Sequence, residues 1–136
     1  MNHDHDMSIQ FPENFLWGAA TSSYQVEGGN RNDWSEWEEK NAERLAREAE
    51  KKFGHLPNWG DIKEQAQSPQ NYISGRACDH YNRYEEDFDI AKSLGHNAHR
   101  FSIEWSRIEP EEGKWNEQEI EHYRKVIAAL RARGME

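Results

Sequence analysis

The sequence predicts an α/β fold built on parallel strands, and three observations carry that prediction. Two short strand-like segments, 15–24 and 98–105, are each followed by segments of helical periodicity. Strands alternating with helices imply βα units and a parallel sheet. The second strand also pairs one apolar face with one polar face, which constrains how the sheet closes.

Taken in order, the run Phe15 to Tyr24 begins apolar, turns small and polar, and ends at Gly28-Gly29, as a buried strand bounded by glycine does. Asp33-Trp34-Ser35-Glu36-Trp37 follows, then a charged stretch in which Ala42, Leu45, Ala46, Ala49 and Phe53 trace one helical stripe closed by Gly54. Residues 55–75, with Pro57, Gly60, Pro69 and Gly75, read as loop. An inserted helix and loop is therefore expected over about 38–75. Asp79 to Leu94 is the clearest helix, with Tyr81, Tyr84, Phe88, Ala91 and Leu94 at steps of three and four, and Gly95 placed for a left-handed cap. A last helix opens at Asn116 with Glu119 three residues on, a capping-box spacing, and carries Ile120, Tyr123, Ile127 and Leu130 up to Gly134.

Between these helices, Ala98 to Trp105 alternates: Phe101, Ile103 and Trp105 fall on one face, Arg100, Ser102 and Glu104 on the other. An open doubly wound sheet is covered by helices on both sides and wants both faces apolar. A closed (β/α)8 barrel accommodates the pattern, its apolar face meeting the helices and its polar face lining the interior near a site. The other reading is a solvated edge strand of an antiparallel sheet; the helices on either side of the segment in sequence argue against it.

Composition narrows the function classes. The 136 residues are 32% charged and 35% hydrophobic, with a mean hydropathy of −1.21, where a globular domain usually has about 45–50% apolar residues. Six Trp, five Tyr and five Phe are too many for a disordered chain. A net charge of −9 gives nothing to gain from phosphate counterion release, so neither nucleic acid nor an anionic membrane is an expected partner. The single Cys78 cannot form an internal disulfide and reads as a core thiol in a reducing compartment. The N-terminus lacks a basic and an apolar signal region, and no apolar run nears the ~20 residues of a membrane span; the expected setting is cytoplasmic. Residues 1–10 read as a mobile tail, whose His3-Asp4-His5-Asp6 stretch offers metal-ligand atoms without a closed site.

Three blocks then carry a resemblance. The run from Phe11 to Gly28 (FPENFLWGAATSSYQVEG) resembles the opening signature of family 1 glycoside hydrolases. Asp79 to Asp87 (DHYNRYEED) is similar to that family's first barrel helix, and Arg100 to Ile108 (RFSIEWSRI) to its second strand. The blocks stand in the family's order, with Gly113, Tyr123 and Gly134 in place behind them. The resemblance implies the N-terminal part of a (β/α)8 barrel, about the first two βα units, of a retaining β-glycosidase that is β-glucosidase-like and works on O-glycosidic bonds. It implies no cofactor and no metal. The implied partners are a β-glycoside or small sugar held by the complete barrel, and the remainder of that barrel. Strand three is expected to start at the Arg133-Gly134-Met135-Glu136 junction.

Retaining hydrolysis needs two carboxyl groups ~5–5.5 Å apart, a nucleophile and an acid that later becomes the base. The resemblance places the acid/base glutamate in an Asn-Glu-Pro motif on strand four and the nucleophile in a Glu-Asn-Gly motif on strand seven. Neither motif occurs here; Asn116-Glu117-Gln118 and Pro12-Glu13-Asn14 only look like them. This chain alone is therefore expected to be inactive. Two residues match family positions. Gln25 matches the glutamine that hydrogen-bonds sugar hydroxyls, a task suited to an amide with both donor and acceptor. Arg100 matches the arginine beside the nucleophilic carboxylate, where a fixed positive charge lowers the carboxyl pKa. The other readings are an ordinary loop glutamine and a structural ion pair inside the barrel.

Glu104 shares the predicted polar face with Arg100 and reads as a structural partner, as does Glu27 in its turn. Trp34 and Trp37 suit either an aglycone entrance or packing. His99 stands where the family commonly has an aromatic such as Tyr, and the 38–75 insertion is longer than in many bacterial members; both bear on substrate preference. The alternative from another class is a non-catalytic sugar-binding or assembly module that keeps Gln25.

Overall fold

The computed structural model describes residues 10–136. The His3–Asp6 stretch, and all of the expected tail before Gln10, lie outside the described residues. Two parallel strands, β1 (Gly18–Ala20) and β2 (Ala98–Arg100), pair Gly18 with Ala98, Ala19 with His99 and Ala20 with Arg100. Gly18 is there because a Cβ would come within 2.2 Å of the Ala98 carbonyl oxygen. The Asn97 amide extends the pairing: its Oδ1 accepts from the Trp17 N–H at 2.7 Å and its Nδ2 donates to the Phe15 carbonyl at 2.9 Å.

Both strands are shorter than the sequence predicts. β1 gives way at Ser22 to a one-turn helix, α1 (Ser23–Val26), because the Ser23 N–H is taken by the Ser102 hydroxyl at 2.8 Å rather than by a strand partner. β2 ends at Arg100, and Trp105 is the first residue of a second one-turn helix, not a strand residue. On its far side β2 is already partnered. The His99 N–H donates to the Glu136 carbonyl at 2.8 Å and the Glu136 N–H to the Asn97 carbonyl at 2.9 Å. The two bonds follow the pattern of a parallel pair and lay Met135-Glu136 alongside β2, although the sheet among the described residues has two strands.

The long helix α2 (Asp33–Phe53) starts in a capping box: Asn32 Oδ1 accepts from the Ser35 N–H, and Ser35 Oγ accepts from the Asn32 N–H. Its small face, Ala42, Ala46 and Ala49, is buried against a 3-10 turn at Pro69–Tyr72. The expected loop 55–75 is largely helical: α3 (Trp59–Ala66) intervenes. Pro57 and Gly60 fall at its start, where proline and glycine are tolerated, so they do not break it. Cys78 is exposed, not a core thiol; it lies between Ala77 and Asp79, both in the left-handed region (φ +48° and +59°), just outside the helix that follows.

That helix, α4 (His80–Ser93), runs to the predicted cap at Gly95 (φ +86°). After β2 come α5 (Trp105–Ile108) and α6 (Glu117–Ala132). Asn116 caps α6 through the Gln118 and Glu119 N–H groups, but Glu119 completes only half of the expected box, since its carboxylate accepts from the Tyr81 hydroxyl instead. Helices α4 and α6 pack together, and Phe88, Ala91, Val126, Leu130 and Met135 make the core, with Phe101 of the second segment against it. The α6 stripe is buried at Tyr123, Val126 and Leu130, with Ile127 only partly covered.

His99 stands on the same side, its ring against Phe88 and stacked with Phe101. Burial, with His80 and His96 nearby, holds its pKa below the ordinary histidine value; Asp87 opposes this weakly. His122, half-buried against Tyr81 and Tyr84, is also depressed, by burial first, with the nearby Glu119 carboxylate opposing the shift. A base whose folded pKa is lowered adds stability above its unfolded value, about 6.5, and loses it as pH falls through the folded value. Urea midpoints are therefore expected to fall between about pH 7.5 and pH 5.5, and His99→Phe is expected to flatten part of that slope. A variant with the wild-type slope counts against the assignment.

Candidate functional site at the strand ends

The C-terminal ends of β1 and β2 meet where the Thr21 N–H donates to the Arg100 carbonyl at 2.9 Å. From there β1 runs into α1, which presents Gln25 exposed. Arg100, the last residue of β2, is also exposed, and among the described residues no ion pair involves it. Carboxyl ends of parallel barrel strands are where sites are built.

The predicted polar face does not hold together beyond Arg100. Glu104 is 7% exposed and does not share Arg100's surroundings. Its carboxylate accepts from Ser106 Oγ (2.8 Å), Ser23 Oγ (3.3 Å) and Asn32 Nδ2 (3.3 Å). The predicted apolar face fails as well: Phe101 meets the core, but Ile103 and Trp105 are 45% and 63% exposed. The physical reason is that the ladder stops at Arg100, so strict alternation stops with it. From there on the side chains satisfy the polar groups of the turn after β1.

Glu27, 4% exposed, anchors the other end of that turn. Its carboxylate accepts from the Tyr123 hydroxyl at 2.9 and 3.0 Å and lies 3.3 Å from Arg107 Nε. Tyr123 Oη in turn accepts from the Glu104 N–H at 3.1 Å. Arg107 also donates to the Gly28 carbonyl at 2.7 Å and to Asn30 Oδ1 at 3.0 Å, and its guanidinium lies over the Tyr81 ring at 4.3 Å. Burial raises the Glu27 pKa, while the Tyr123 hydrogen bond and the Arg107 charge act against the rise. Burial likewise pushes the Tyr123 phenol well above its ordinary value. Glu27 and Glu104 are thus held as acceptors in a closed network. Neither is presented to a ligand.

The glycine after Glu27 is required by shape. Gly28 has φ +83°, and a Cβ on it would meet the Arg76 carbonyl oxygen at 2.0 Å. Trp34 and Trp37 are exposed and stacked on each other, ring centroids 5.2 Å apart, on the first turn of α2. Sequence reasoning missed Asn32, Ser23, Ser102 and Tyr123 as members of the network. Two sequence signals could have found some of them: the Asn32-x-x-Ser35 cap spacing, and the shared polar phase of Ser102 and Glu104. Among the described residues no group of three or more His, Cys, Asp or Glu is placed to hold a metal ion. No helix among them is long and apolar enough to cross a membrane.

A family model described as glycosyl hydrolase family 1 matches residues 7–136. The chain belongs to this family. Family 1 relatives include beta-glucosidase A of Thermotoga maritima, 40% identical over 131 residues that cover 93% of this chain and 24% of that protein. Beta-glucosidase A of Acetivibrio thermocellus is 37% identical over 131 residues, covering 93% and 25%. Among solved structures, a beta-glycosidase from Pyrococcus horikoshii aligns with a TM-score of 0.66 at 43% identity, over 92% of this chain and 23% of that one. The GH1 beta-glucosidase of Exiguobacterium antarcticum aligns with a TM-score of 0.69 at 28% identity, over 94% and 25%. The chain thus spans about a quarter of the length of the family 1 relatives it matches. Its βα units are part of a family 1 (β/α)8 barrel.

Proposed function

We propose that this chain supplies the strand-one and strand-two portion of the sugar site of a retaining β-glycosidase. Gln25 hydrogen-bonds sugar hydroxyls, and Arg100 stands beside a carboxylate nucleophile that another part of the barrel contributes. The observation that supports this reading is that both side chains lie exposed at the carboxyl ends of neighbouring parallel strands, while the glutamates around them, Glu27 and Glu104, are buried. The substrate class is a β-glucoside or a related β-glycoside. The acidic composition and lone cysteine accord with a cytoplasmic enzyme that binds no nucleic acid.

Neither the Asn-Glu-Pro nor the Glu-Asn-Gly motif that the family resemblance assigns to the two carboxylates of retaining hydrolysis occurs in this sequence. The purified chain is expected not to hydrolyse an aryl β-glucoside above the buffer rate; turnover by contaminant-free protein sinks that expectation. For the site itself, residues 11–136 are joined to the remaining barrel of the Thermotoga maritima enzyme. There Gln25→Ala is expected to lower kcat/KM by about 10–100-fold, the worth of one or two hydrogen bonds to a bound sugar. An unchanged kcat/KM overturns the role of Gln25.

A further inference from the structure

We propose that Glu104 is a positioning residue for Gln25, its buried carboxylate fixing the α1 turn against the end of β2. The proposal rests on the reading that Gln25 binds sugar, and it goes beyond that reading by naming what holds the ligand group in place.

Among the described residues, the buried carboxylates are Glu27 and Glu104, and of the two only Glu27 has a cationic partner. The neighbouring cation, Arg107, is committed to Glu27, Asn30 and Gly28. What Glu104 has instead is a set of neutral donors from three different segments. Ser23 Oγ comes from α1, Asn32 Nδ2 from the residue that caps α2, and Ser106 Oγ from α5, whose Ser106 N–H also points to Glu104 at 3.4 Å. An ionised carboxylate is acceptor-only: Oε2 accepts from Ser23 Oγ, while Oε1 accepts from Asn32 Nδ2 and Ser106 Oγ, with the Ser106 N–H a longer third contact at 3.4 Å.

The geometry places Gln25 between two anchors. At Ser23 the backbone N–H is held by Ser102 Oγ and the hydroxyl by Glu104. At Glu27 the carboxylate is held by Tyr123 and Arg107. Only Tyr24, Gln25 and Val26 lie between them. The Gln25 side chain itself makes no hydrogen bond to the described residues, so its place is set by the backbone that carries it. Preorganisation of a ligand group by such supporting contacts is what keeps the ordering cost out of binding.

Amide hydrogen exchange on the full 136-residue chain tests this, with Glu104→Ala, Glu104→Gln and, as a control at another buried position, Val126→Ala. In the wild type, slow amides are expected within Ser23–Glu27. Glu104→Ala is expected to speed those amides at least about tenfold relative to the amides of α6, the scale of losing one or two buried hydrogen bonds. Glu104→Gln keeps the length and one carboxyl-type oxygen, and its amide donates to a reoriented Ser23 hydroxyl; it is expected to stay within about threefold of wild type. Val126→Ala is expected to loosen the core without singling out the turn. A wild-type turn with no slow amides, a uniform response to Glu104→Ala, or a glutamine variant no better than alanine each overturns the proposal. Failure of the sugar-binding reading shows separately, as an unchanged kcat/KM for Gln25→Ala in the joined barrel.

Discussion

Arg100→Met, in the barrel formed by joining residues 11–136 to the rest of a family 1 relative, is expected to lower kcat for an aryl β-glucoside by about 10²–10³-fold, the usual loss when one preorganised electrostatic group is removed from a reacting centre. Arg100 is the last residue of β2, exposed, and paired by register with Ala20 at the end of β1. Its backbone is fixed by the bond from the Thr21 N–H, so the substitution changes the charge and leaves the strand in place. The sign of the pH effect follows from the proposed role. A positive charge beside a carboxylate favours its ionised form, so removing it raises the carboxyl pKa. The acid limb of the kcat/KM profile is then expected to move to higher pH, and Arg100→Lys is expected to restore part of both effects. A rate loss with an unmoved acid limb leaves a steric role and overturns the electrostatic one.

The second large effect is on stability. Phe88 is the one large side chain among the described residues that is entirely enclosed, at 0% exposure. It belongs to the cluster that joins α4 to α6 and carries the rings of His80, Tyr84 and His99 around it. Phe88→Ala removes that packing and leaves a cavity, at a cost of about 3–5 kcal/mol. That is comparable to the whole stability of a small core. The expected result is loss of a cooperative urea transition in the 136-residue chain, with Phe88→Leu retaining one at lower midpoint. A cooperative transition in the alanine variant near the wild-type midpoint refutes the central place given to this residue.

How much of this was legible in the sequence follows from where each signal is stored. Helices α4 and α6 write themselves into the chain as stripes ended by Gly95 and Gly134, both in the left-handed region that glycine permits. Helix α3 was missed: Pro57, Gly60 and Pro69 pointed to loop and outweighed the helical spacing of Trp59, Ile62 and Ala66. The strands were overextended because hydrophobic alternation does not record where hydrogen bonding ends. Ser102 and Glu104 fit the polar phase of β2, yet they serve the turn after β1. Gln25 and Arg100 stand out only through motif resemblance; what the structure adds is that both are exposed. The Glu104 network was not legible, because its members are scattered from Ser23 to Tyr123 and meet only in three dimensions.

The amide clamp between Trp17 and Asn97 bridges 80 residues of chain. Most of that stretch is the helical insert and α4, so the first strand can be placed only after a long closure, whereas Glu136 reaches Asn97 across half that span. Closure entropy grows with the logarithm of length, so the longer loop costs about 0.6 kcal/mol more than the shorter one. The energetic difference is small, about a threefold factor in closure probability, and it favours the more local α4–β2–α6 contacts. The expected consequence is that β1, which carries Gln25, docks after that unit, an order that φ-values on either side would check. The segment that carries the proposed sugar contact is then also the one that a slow or interrupted folding event leaves undocked.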